Sequence, residues 1–200
     1  MATDTDIANG ALVRLGQRLI LDIDEVSKEA RVCKQRLPLV KLALLEMHPW
    51  SFATKRVVLT PDTVEPAHTY ENQFSLPTDF LRFANDKRTE EDDEFKVESG
   101  KILSQHETLS IRYIQSAPEI RWWTPLAVNA CSLYLAWDIC YFLVEANNLR
   151  EQLWSELTSA NGLLAKAKWA DSTRTPFKQA ESELVQSAYG RQRYPRDPMT

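Results

Sequence analysis

Three histidines and three cysteines are the residues best suited to hold a metal or activate a nucleophile, and their spacing gives neither chemistry a foothold. His48, His68 and His106 fall in separate stretches, none at ligand spacing from a cysteine or a carboxylate, and no H-E-x-x-H run occurs. His106-Glu107 precedes a strand-like run instead of lying on a helix, so it is not half of a zinc motif. Cys33, Cys131 and Cys140 match no zinc pattern. At about 100° per residue, Cys131 and Cys140 stand on opposite faces of one helix and can share neither a metal nor a disulfide. The expectation is buried free thiols in a reducing compartment. Two of the 28 acidic residues could meet across a cleft as glycosidase carboxylates, but no spacing selects a pair. Only five glycines are present, and neither phosphate-cradling glycine motif appears. No catalytic residue, cofactor or metal is expected.

Binding chemistry is equally constrained. With 44% hydrophobic and 26% charged residues the chain reads as soluble and globular. A net charge of −4 leaves no basic excess to neutralise phosphates over the whole surface, which disfavours a free-standing DNA-binding domain. Trp50, Trp122, Trp123, Trp137, Trp154 and Trp169 read as core or interface anchors, since arginine and lysine are not interleaved with them as in a base-stacking platform. The acidic run Glu90, Glu91, Asp92, Asp93 and Glu94 reads as a solvated loop tip. Its functional alternative is a negative surface that faces a channel and repels DNA. The first residues, Met1-Ala2-Thr3-Asp4, lack a basic start and an apolar core, so no secretory signal is expected.

The elements that would position these residues are mostly helical. Asp4 or Thr5 can cap a first helix that buries Ile7, Ala8, Ala11, Leu12 and Leu15 and stops at Gly16. Ile20 and Leu21 should tuck inward. Asp24 then caps a second pattern carrying Val26, Ala30, Cys33, Leu37, Val40, Leu44 and Leu45, which Pro38 should kink or split. Pro49 cannot continue a helix, and His48 before it is pushed toward extended backbone. Trp50 and Phe52, two apart, should share one face of the segment that leads to Arg56-Val57-Val58-Leu59.

Residues 55–115 change character. Phe95-Lys96-Val97-Glu98 and Lys101-Ile102-Leu103 flank Ser99-Gly100 as a tight hairpin, and Leu109 to Ile114 alternates like a half-buried strand. Tyr70 to Leu76 alternates loosely, and Asp79 to Phe83 reads as a helical turn. Thr124 and Pro125 open the most apolar stretch, Leu126 to Val144, as N-cap and first helical residue. Asn129, Ser132 and Asp138 argue against a membrane span there, since an Asp inside a span costs about 2.5–3.5 kcal/mol. In a soluble bundle Asp138 needs a partner, such as an arginine. After a break at Asn147-Asn148, Leu149 to Trp169 completes a helical hairpin. A last helix, 177–189, precedes a polar tail. The expected fold class is therefore mainly α within α+β: a helical bundle with a small antiparallel β insert and an extended C-terminal helix and tail. Its parts are residues 1–54, 55–115, 116–171 and 172–200.

Several stretches together resemble a known family. Ala11-Leu12-x-x-Leu15-Gly16, then His48-Pro49-Trp50-Ser51-Phe52-Ala53, then Phe74-Ser75-Leu76-Pro77-x-Asp79, Ile111-Arg112-Tyr113-Ile114 and the alanine-rich helix from Pro125 are similar to the head-to-tail adaptors of short-tailed bacteriophages. These are the tail tubular protein A or gatekeeper proteins. The resemblance runs from residue 5 to residue 170 and fades beyond. It implies a non-enzymatic virion protein at the head–tail junction, present in the host cytoplasm during assembly. Such adaptors form a ring, usually of about twelve copies, as head-to-tail contacts allow. The ring sits beneath the portal protein, receives the tail nozzle protein, and lets double-stranded DNA pass without specific binding during packaging and ejection. No membrane is involved. Within that reading Tyr189, Arg191, Arg193, Tyr194 and Arg196 are the expected portal-binding residues, and Glu90 to Glu94 the channel-facing ones. The rival from another class is a virion-associated enzyme that degrades peptidoglycan.

Overall fold

The computed structural model describes residues 2–64, 66–84 and 95–174. The acidic run 90–94, the last helix 177–189 and the tail carrying Tyr189, Arg191, Arg193, Tyr194 and Arg196 lie outside the described residues.

Helix α1, Asp4–Arg14, is capped by Thr3, one residue before the expected Asp4 or Thr5. Thr3 accepts the Asp6 amide while Asp6 accepts the Thr3 amide, a reciprocal capping box. The helix closes as expected at Gly16, whose positive φ of 64° lets Gly16 and Gln17 donate back to Val13 and Leu12. The following connection buries Ile20 but leaves Leu21 exposed. Ser27, not Asp24, caps α2, Lys28–Glu46, because Asp22 to Ser27 form a turn of their own. Val26 falls in that turn and is exposed, while the other apolar residues expected on this helix are buried. Pro38 does not split α2, which runs through it as one helix.

The β region spans the expected stretch but forms two sheets instead of one small one. Strands β1, Thr54–Leu59, β6, Leu109–Gln115, and β3, Phe80–Phe83, form one antiparallel sheet in the order β1-β6-β3. Strands β2, Asn72–Ser75, β5, Lys101–Ser104, and β4, Phe95–Glu98, form a second in the order β2-β5-β4. The Ser99-Gly100 hairpin is present, with both residues at positive φ. The helical turn expected at Asp79 to Phe83 is instead strand β3, paired with β6. The two sheets enclose their own apolar cluster of Phe74, Ile102, Leu109, Ile111 and Tyr113.

The expected mainly α fold class is therefore corrected. The described residues are about 48% helical and 18% strand, with two three-stranded antiparallel sheets, an α+β mixture. The physical reason is strand length: β2, β3, β4 and β5 have four residues each, too few for alternation to stand out from a loop.

Helix α3, Pro125–Leu143, begins as expected with Thr124 as cap and Pro125 first. It is long and apolar enough to cross a membrane by length and composition. Its apolarity is used within the fold, where it packs against α1, α2 and both helices that follow it. That surround explains how Cys131 and Cys140, on opposite faces, are both fully buried. The expected single partner helix is two: α4, Asn147–Thr158, and α5, Leu163–Ser172. Asn147-Asn148 opens α4 instead of breaking the chain; the break is at Glu145, with φ of 54°. Between α4 and α5 the backbone folds tightly on itself at Gly162. A Cβ there would lie 2.7–2.8 Å from the carbonyl oxygens of Leu157, Glu156 and Ser159, which only glycine tolerates.

Candidate functional site

The corner His48–Ala53 joins α2 to the sheet and is held by ring contacts and hydrogen bonds. After α2 ends, a short 3-10 turn over Ser51–Ala53 leads into β1. The segment is thus a turn and not the extended run expected, yet Trp50 and Phe52 still share a face, their rings stacked at 5.5 Å. His48 meets Trp50 edge-on at 4.9 Å, and Phe52 stacks on Trp123 at 5.0 Å. Trp50 is fully buried, and its indole N–H donates to the Leu44 carbonyl at 2.8 Å. That bond adds a second donor to a carbonyl in the last turn of α2 that also accepts the Met47 amide at 3.2 Å. Ala53 and Thr54 both donate to the Trp50 carbonyl, closing the turn.

Asp171 on α5 locks this corner from the far end of the chain. Its two carboxylate oxygens accept the Ser51 amide and the Ser51 hydroxyl, each at 2.7 Å. Asp171 is 2% exposed, and His48 Nε2 lies 3.7 Å from the oxygen that takes the Ser51 amide. Burial pushes the His48 pKa down, against the attraction of Asp171.

Serine, histidine and aspartate therefore meet, but in an order unsuited to nucleophilic catalysis. A nucleophilic serine needs the imidazole between itself and the carboxylate. Here the carboxylate sits in the middle, engaged by both donors of Ser51. The arrangement caps a turn and ties α5 to the start of β1.

Two other carboxylates are similarly occupied. Arg36 grips Asp138 through Nε at 2.6 Å and Nη2 at 2.8 Å, the arginine partner that Asp138 was expected to need. Asp79 accepts Lys55 at 2.6 Å and the Tyr113 hydroxyl at 2.8 Å. Burial lifts the Cys33 thiol to about 11 and the Cys131 thiol to about 12, and raises Cys140 as well. All three are protonated and weakly reactive near neutrality. Among the described residues, no three His, Cys, Asp or Glu side chains converge where a metal could sit.

A groove of about 590 Å³ runs between α2 and the segment before α3, lined by Leu37, Pro38, Lys41, Leu45, Pro118 and Trp123. Lys41 on its rim pairs with Asp4. The Trp123 indole N–H is buried with no hydrogen-bond partner among the described residues.

The six-residue motif expected to be structural is thus a single packed unit. The portal-binding and channel-facing residues cannot be placed, since they lie outside the described residues. Of the six tryptophans, Trp50 and Trp123 are core anchors, whereas Trp122, Trp154 and Trp169 are exposed. Sequence reasoning missed Asp171, because beside Lys168, three residues before it on the same helix, it looks like part of a solvated charged face. The Asp79–Tyr113 bond was also missed, although both residues belong to the stretches that carry the phage-adaptor resemblance. Neither a family model nor a curated protein matches the chain.

Proposed function

We propose that the chain is a head-to-tail adaptor of a short-tailed phage virion. It joins portal to tail nozzle as a ring that continues the DNA channel and helps retain packaged DNA. The reading comes from the resemblance, and one observation carries it further. The stretches that make up the resemblance are far apart in sequence, yet they are the ones that hold helices and sheet together. Ala11, Leu12 and Leu15 of α1, Trp50 and Ala53 of the corner, Ile114 of β6 and the alanines of α3 share one buried core. Asp79 and Tyr113 then bond across the sheet.

A ring is compatible with this chain, since repeated head-to-tail contacts close when the rotation per copy permits. In this reading the tail from Tyr189 to Arg196 contacts the portal, and the run Glu90 to Glu94 repels DNA in the channel. Removing residues 190–200 tests the portal contact. The truncated protein should melt at the same temperature as the full chain and fail to co-sediment with portal rings. Undiminished portal binding would overturn the assignment of the tail.

A further inference from the structure

Aromatic rings gather where α3 meets α4. Tyr134, Trp137 and Tyr141 recur at three- and four-residue spacing along α3 and so share one side of it. Trp154 reaches them from α4. Its ring lies 4.6 Å from that of Trp137 and 6.3 Å from that of Tyr134, and Tyr134 and Trp137 are 5.7 Å apart. Trp154 and Tyr141 are exposed, and Tyr134 and Trp137 are half-buried. A groove of about 340 Å³ opens against Trp137 and Trp154, with Asn147, Arg150, Glu151 and Ser155 along its α4 side.

The fold leaves the polar atoms of this groove unused. Among the described residues the indole N–H groups of Trp137 and Trp154 and the Tyr134 hydroxyl have no hydrogen-bond partner, and the Glu151 carboxylate has no ion pair. An occupant must bring apolar surface for the rings and acceptors for their donors. A nucleobase fits poorly, because Trp137 and Trp154 are too close to admit one between them and Glu151 repels phosphate. A quaternary ammonium ligand finds the face of Trp137 already covered by the Arg150 guanidinium at 4.5 Å. A second folded copy needs about 800 Å² on each partner. An aromatic ring buries about 150–250 Å² when fully covered. Tyr134, Trp137 and Trp154, the last 39% exposed, are already more than half covered by their own chain, so the patch falls well short.

We infer that this groove holds a proline-rich peptide segment of a partner protein in the polyproline II conformation, with an arginine of that segment beside Glu151. Such a segment has no internal hydrogen bonds, so its carbonyls are free to accept from indole and phenol donors, and its proline rings pack on aromatic walls. The spacing agrees. From Tyr134 to Tyr141 the helix rises about 10.5 Å, close to the rise of about 9.3 Å for one three-residue turn of polyproline II. Glu151 supplies the complementary charge that sets the direction of the peptide. The inference rests on this helical face alone and stands or falls separately from the adaptor reading.

Fluorescence anisotropy of the full chain with a labelled decaproline carrying one amino-terminal arginine tests it. Binding should be saturable, and Trp154→Ala should weaken it at least about tenfold, as loss of an aromatic anchor does. Trp154 is exposed, so this variant keeps the fold, which a melting curve checks. Trp169→Ala, which removes a more exposed ring on α5, should leave the affinity unchanged. Exchanging the arginine of the peptide for glutamate should weaken binding, and that difference should shrink in Glu151→Gln. In a proton–nitrogen correlation spectrum of the unaltered chain, the peptide should shift the indole resonances of Trp137 and Trp154 and leave those of buried Trp50 and Trp123 in place. The inference is overturned if binding does not saturate below about 1 mM protein. It is overturned equally if a glycine–serine peptide with the same arginine binds as well, if a single-stranded oligonucleotide binds more tightly, or if Trp154→Ala binds like the wild type.

Discussion

Ser51 and Asp171 are 120 residues apart in sequence and joined by two hydrogen bonds of 2.7 Å. Through them the last described helix is fixed to the corner where the first helical layer becomes a sheet. Asp171→Ala should destabilise the protein by about 1.5–3 kcal/mol, because two hydrogen bonds to a charged acceptor are lost. Urea denaturation measures the loss. Asp171→Asn, which keeps one acceptor, should lose less.

Trp50 combines full burial with a hydrogen bond to Leu44. Trp50→Ala should cost about 3–5 kcal/mol, from lost apolar burial and the cavity left among His48, Phe52 and the core. Trp50→Phe should fall between, retaining the stack on Phe52 but losing the indole hydrogen bond and leaving the Leu44 carbonyl with the Met47 amide alone. Thermal melts of the two variants give the comparison.

The Arg36–Asp138 pair joins α2 to α3, with the Asp138 side chain 14% exposed and that of Arg36 36% exposed. Arg36→Met alone should destabilise by about 1–3 kcal/mol, since it leaves a mostly buried carboxylate without its cation. Adding Asp138→Leu should recover most of that loss, because a half-buried pair gains little over apolar packing. A double-mutant cycle in urea separates the pair from its parts.

His48 is depressed below its ordinary value of about 6.5, with burial as the largest cause. The folded state therefore binds fewer protons than the unfolded one at acidic pH. This part of the stability is complete above the unfolded value and is lost as pH falls through the folded one. The wild type should weaken between neutral pH and mild acid more steeply than His48→Gln. NMR titration of the imidazole should give a midpoint below that of a free histidine.

Helix patterns were legible wherever one face was apolar and the other was not. The buried faces of α1 and α2, the cap at Thr124 and the stop at Gly16 all followed from periodicity and end chemistry. The sheets were less legible because strands of four residues give two side chains per face. Phe80-Leu81-Arg82-Phe83 presents no alternation at all, and only pairing with β6 makes it a strand. The gap between α4 and α5 was hidden because apolar spacing continues across Gly162; the backbone crowding that demands glycine has no local signature. Partners were legible when burial forced them, as for Asp138. Asp171 lies on a helix rich in charge, and nothing in its neighbours in sequence signals that it faces inward to Ser51.

The adaptor reading is tested most directly by native mass spectrometry of the full chain, alone and mixed with portal rings from the same genome. The account predicts a monomer in isolation and about twelve copies on each portal ring, as a closed head-to-tail arrangement on a template requires. A monomer or dimer that ignores the portal would contradict it.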